Sequence, residues 1–110
     1  MADLDFAKLY GKAKNILEGE REVNPSMERV WMKVFQLAWP EKAADIEFDW
    51  RDPDYVVEQH KVHFVILYRG RKIVIVFEGV EFRYCLIDGT GPAMDIEEAF
   101  ALIDQAYTPK

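Results

Sequence analysis

Cysteine is nearly missing from this chain of 110 residues, and the single thiol, Cys85, cannot close an internal disulfide. Histidine is almost as scarce. His60 and His63 stand three apart, and on an extended strand an odd separation sends them to opposite faces, so with Cys85 remote from both no zinc spacing results. Long apolar runs are also lacking. The longest, Phe64 to Tyr68 and Ile73 to Phe77, fall far short of the roughly 20 residues that a helix needs to span a bilayer. The opening MADLDF has neither a basic nor an apolar stretch of the export type, so the expectation is a soluble, cytoplasmic protein. A basic surplus is absent too: 20 acidic residues stand against 14 Lys and Arg, with no basic stripe. Direct binding to nucleic acid is therefore not expected, because neutralising phosphates supplies most of that affinity.

What is present is apolar and aromatic. With 50% hydrophobic and 14% aromatic residues, the chain has the material for one domain over 1–110, burying roughly 60 to 70% of its unfolded surface. Its organising stretch is VHFVILYRGRKIVIVFEGVEFRYCLI, residues 62 to 87. Three runs rich in β-branched and aromatic residues are separated by single glycines, Gly70 and Gly79, which predicts three antiparallel strands and two tight hairpins. If Gly70-Arg71 and Glu78-Gly79 are the loops, the alternation of side chains sorts the residues onto two faces. Face A carries Val62, Phe64, Ile66, Tyr68, Ile73, Ile75, Phe77, Val80, Phe82, Tyr84 and Leu86. Face B carries an apolar quartet, Val65, Leu67, Val74 and Val76, ringed by His63, Arg69, Lys72, Glu78, Glu81 and Arg83, with Cys85 opposite Lys72.

The flanks supply the remaining elements. Residues 3 to 18 place Phe6, Leu9, Tyr10, Ala13, Ile16 and Leu17 on one side of a helix that Gly19 can stop. Asn24-Pro25 reads as the start of a second helix closed by Trp39-Pro40, with Met32 and Trp39 on the margin of a wide apolar arc. DIEFDWR, residues 45 to 51, alternates as a half-buried edge strand. A following strand from Tyr55 to Arg69 would be long enough to require a bulge or bend near Gln59 to Lys61, and its parity decides which face Phe48 and Trp50 share. A last helix starts at Asp95, with Glu98 placed for a capping box, and groups Ile96, Ala99, Phe100, Ile103, Ala106 and Tyr107; Thr108-Pro109-Lys110 is a frayed end. The expected fold is α+β in the order ααββββα: an antiparallel meander of about four strands, two N-terminal helices on one face, and a C-terminal helix. Face B then needs a cover, either the C-terminal helix, which is favoured on available surface, or a second copy in a twofold dimer.

Chemistry-bearing patterns are sparse. Asp88-Gly89-Thr90-Gly91-Pro92 lacks both phosphate-loop signatures and precedes acidic residues, so it reads as a connector. No cofactor, metal or catalytic set is indicated. The sharpest signal is charge: residues 45–60 hold six acids against one arginine, with Asp45, Glu47 and Asp49 on one side of a strand and Asp52 and Asp54 just beyond. Such a row either docks a basic partner or guards a sheet edge against aggregation. The leading expectation is a non-catalytic protein-binding module whose partner has a basic surface, met by Asp45, Glu47, Asp49, Asp52 and Asp54, with Met32 and Trp39 as a second contact. The alternative is a small-ligand binder or minor enzyme with a pocket between the second helix and the sheet, near Trp31, His60, Tyr68 and Tyr84.

Overall fold

The computed structural model describes residues 5–21 and 23–106, in two compact units, 1–44 and 45–110. Three sequence readings, the first two residues of the 3–18 helix, Tyr107 and the frayed end, lie outside the described residues. No helix among the described residues is long and apolar enough to cross a membrane.

The first unit is a helix pair, α1 (Phe6–Gly19) and α2 (Met27–Ala38). Asp5 caps α1, its carboxylate accepting the Lys8 N–H at 3.1 Å, and the left-handed backbone that ends the helix falls on Arg21 (φ 68°), not on Gly19. The N-cap of α2 is Ser26, whose Oγ accepts the Arg29 N–H at 3.2 Å. Asn24 instead takes a left-handed turn position (φ 50°), a role its short polar side chain tolerates, so the helix starts later than Asn24-Pro25 suggests. Aromatic contacts join the pair: Phe6 and Tyr10 of α1 meet Trp31 at 6.4 and 5.3 Å between ring centroids.

The second unit is an antiparallel sheet of six short strands, β1 (Ile46–Phe48), β2 (Val56–Glu58), β3 (Lys61–Tyr68), β4 (Arg71–Glu78), β5 (Glu81–Ile87) and β6 (Gly91–Ala93), followed by α3 (Ile96–Ala106). The architecture is α+β, as the periodicities predict. Both β1 and β2 pair with β3, along the same edge, and Asp49 N–H extends the first pairing to the Val65 carbonyl. They are two halves of one edge strand, interrupted by the excursion 50–55. The interruption expected near Gln59 to Lys61 is a full reversal: Glu58 pairs with Lys61 across a two-residue turn in which Gln59 holds φ 48°. Parity is thereby settled, since Phe48 pairs with Ile66 and Val57 with Val62 on face A.

The hairpin loops are Arg69-Gly70 and Gly79-Val80, each displaced by one residue from the expected positions. Arg69 and Gly70 both hold positive φ (51° and 81°), as a type I′ turn demands. Displacing a two-residue loop by one position changes the pairing by two, so the sorting onto faces survives. His63 consequently faces Val76, and Glu78 faces Lys61. The sorting fails in one place. Between Phe77–Phe82 and Val76–Tyr84 the register shifts, leaving Arg83 as an extra residue. Beyond that bulge Cys85 and Ile87 turn onto face A and are buried, whereas Tyr84 and Leu86 turn onto face B with exposures of 45% and 41%.

Face A is the buried side. Phe64 and Phe77 pack edge to face at 6.0 Å, and Phe48 and Trp50 close on Phe64 from the edge strand. The helix α3 lies on this face too, since the Phe100 ring sits 4.5 Å from that of Tyr68, whose hydroxyl donates to Asp104 at 2.9 Å. Its start is built as expected, with Asp95 accepting the Glu98 N–H at 2.7 Å, while Glu98 reaches back to the Met94 N–H. The expectation that α3 covers face B is overturned by these contacts. The helix connects through β6, and Ala93 pairs with Cys85, a face A residue after the bulge.

Candidate functional site

Face B is a grid that can be read off the pairings. Its first row is Asp49, Val65, Val74, Leu86 and Pro92; the next is Val56, His63, Val76 and Tyr84; Glu47, Leu67 and Lys72 adjoin on the other side. Val65 and Val76 are buried, Leu67, Val74 and Val56 are half-buried, and Tyr84 and Leu86 are open. The two features that the sequence presents separately, the acidic row and the apolar quartet, therefore share one surface. Ile46 and Phe48 take face A, so Asp45, Glu47 and Asp49 alternate onto face B, beside Arg69, Leu67 and Val65.

The charges on this surface divide into two groups. Lys72 Nζ is held by Asp54 at 2.7 Å and Asp52 at 3.1 Å, which anchors the excursion 50–55 to the sheet. These carboxylates raise the Lys72 ammonium pKa, and the Asp54 N–H, with Lys72 behind it, lowers that of Asp52. Arg69 lies 3.7 Å from Asp45 and 3.1 Å from Asp104, and Arg83 2.8 Å from Glu78. Glu47 and Asp49 are different. Among the described residues no cation lies within ion-pair distance of either; the Asp49 carboxylate accepts only the Arg51 N–H, at 3.1 Å, and Glu47 is exposed.

The other predicted site residues are scattered. Met32 is half-buried on α2, but Trp39 is 3% exposed with its ring 5.2 Å from Phe35, so it offers no contact surface of its own. Trp31 is likewise buried in the helix pair. Tyr68 is buried on face A, Tyr84 stands on face B, and His60 occupies the β2–β3 turn, so these three share no wall. A shallow depression of about 550 Å³ does include His60, but its lining is Glu58, Gln59, Lys61 and Glu78, without an aromatic side chain. Among the described residues no group of three His, Cys, Asp or Glu is placed to hold a metal ion.

Cys85 does not take the position opposite Lys72 that the sequence suggests. Its Sγ is buried on face A, 3.5 Å from the Asp95 carbonyl and 3.9 Å from that of Ala93, and burial pushes the thiol up to about 11. The unfolded chain releases this proton first, so folding stability should be whole below pH 9.0 and fall as the pH rises toward 11. The thiol should also resist aromatic disulfide reagents in the native state and react at once in denaturant. An alkaline unfolding profile unchanged by Cys85→Ala would contradict this placement.

Comparison with family models, with curated proteins and with solved structures returns no match.

Proposed function

We propose that this chain is a non-catalytic protein-binding module, and that face B, with its acidic edge, receives a partner whose contacting surface is basic. The observation carrying this reading is that Glu47 and Asp49 share face B with the exposed side chains of Tyr84 and Leu86, across the half-buried Leu67 and Val74, while Lys72, Arg69 and Arg83 already have carboxylates of their own. A surface with unneutralised acids at its edge and apolar side chains at its centre offers both steering and burial, the two components of specific association. The absence of convergence among Tyr68, Tyr84 and His60 gives the ligand-pocket alternative no support of comparable kind.

The test is charge reversal at the two carboxylates without a basic neighbour. Glu47→Lys with Asp49→Lys should cost no more than about 1 kcal/mol, because Glu47 is exposed and the half-buried Asp49 gives up one hydrogen bond, from the Arg51 N–H. Immobilised native protein should retain a stoichiometric partner from its source extract, released by salt, and the variant should associate roughly tenfold more slowly at low ionic strength. Identical association rates for the two proteins across salt concentrations would remove the acidic edge from the binding surface.

A further inference from the structure

Resting on the reading of face B as a partner surface, we infer that its occupant is a basic amphipathic helix of a different protein, laid on the sheet with its apolar side down. The centre of a sheet offers an incoming chain no main-chain hydrogen bonds, because those of β3, β4 and β5 are spent on one another. An occupant must therefore bring its own backbone satisfied, which an extended peptide cannot do. The apolar area also has the size of a helix face. Its accessible part is Tyr84 and Leu86 with the half-buried Val74 and Leu67, and along β4 it ends at the charged positions Lys72 and Glu78. Three helical turns, about 11 residues and roughly 16 Å, fit that extent.

Charge complementarity separates this occupant from a second copy of the chain. A twofold pairing of face B on itself sets the acidic edge either on its own image or over the opposite side of the sheet. That side carries Arg83, already engaged by Glu78 and Glu81, and Pro92. Neither arrangement supplies cations to Glu47 and Asp49. A helix with lysine or arginine along one flank does, while its apolar residues cover Leu86 and Tyr84.

The probes are three synthetic peptides: an 18-residue leucine–lysine amphipathic helix, a permutation of the same composition without an apolar face, and a leucine–glutamate helix. Binding is followed by amide chemical shifts of the full chain. The lysine helix should bind about tenfold more tightly than the permuted peptide, with the largest shifts on β3 to β5 at face B positions. Leu86→Ser should weaken it several-fold, whereas Met94→Ser, an exposed position outside the patch, should not. Equal binding of the lysine helix and the permuted peptide overturns the helical occupant and leaves a basic partner standing. Tighter binding of the glutamate helix, or no face B shift with either basic peptide, overturns both. A concentration-dependent dimer that excludes the peptides overturns the proposal in favour of a second copy.

Discussion

Cys85→Asp should be among the most damaging single substitutions in the sheet, costing more than about 4 kcal/mol and leaving the chain unfolded at ambient temperature, while Leu86→Asp should cost about 1 kcal/mol or less. The two residues are adjacent, and by plain alternation from Phe82 the aspartate at 86 would be the buried one. The bulge at Arg83 reverses this. A carboxylate at position 85 would enter face A opposite Ile75, against the carbonyl oxygens of Ala93 and Asp95, where it meets acceptors and no donor. At position 86 it would stand in water beside Pro92. Urea unfolding followed by circular dichroism reads both variants. Comparable losses, or the larger loss at Leu86, would mean that β5 runs without a bulge.

That contrast also marks where the sequence is legible. β-branched and aromatic composition locates the strands, and alternation finds the faces of β3 and β4 even though both loops are misplaced by a residue, because a two-residue register error preserves parity. A bulge has no such protection. Nothing in EFRYCLI distinguishes an inward Tyr84 and Leu86 from an inward Cys85 and Ile87, as both pairs are apolar; the choice is made by what α3 and Ala93 bring to Cys85. At Gln59-His60 strand length alone signals an interruption, and the sequence does not show that it is a full turn. The turn contains no glycine, and Gln59 accepts a left-handed backbone at a cost of about 1 to 2 kcal/mol that the pairing on either side repays. The acidic row was visible from composition alone. Its position beside the apolar quartet depends on the pairing of Phe48 with Ile66, which local sequence does not encode.

Phe100→Ala should remove about 3 to 5 kcal/mol, because α3 is held to face A chiefly by buried apolar side chains, Ile96, Ala99, Phe100 and Ile103. Phe100 is fully buried, and its ring packs at 4.5 Å on Tyr68, itself without exposed surface, so truncation leaves a void that neither β3 nor the helix backbone can close. The polar contact next to it is worth less. Tyr68→Phe deletes the hydroxyl bonded to Asp104, but the Asp104 side chain is 35% exposed and lies 3.1 Å from Arg69, so the carboxylate keeps a cation and gains water. A loss of about 1 kcal/mol is expected there. The pair of variants also tests which face carries the helix. Were α3 seated on face B, Phe100→Ala would uncover Val65 and Val76 and leave Tyr68 untouched. On face A, the truncation should shift the Tyr68 ring resonances and leave those of Tyr84 in place. Ring-proton spectra of the two tyrosines, recorded with the unfolding curves, decide between these outcomes. A perturbed Tyr84 beside an unchanged Tyr68 would overturn the assignment of α3 to face A and, with it, the openness of the proposed docking surface.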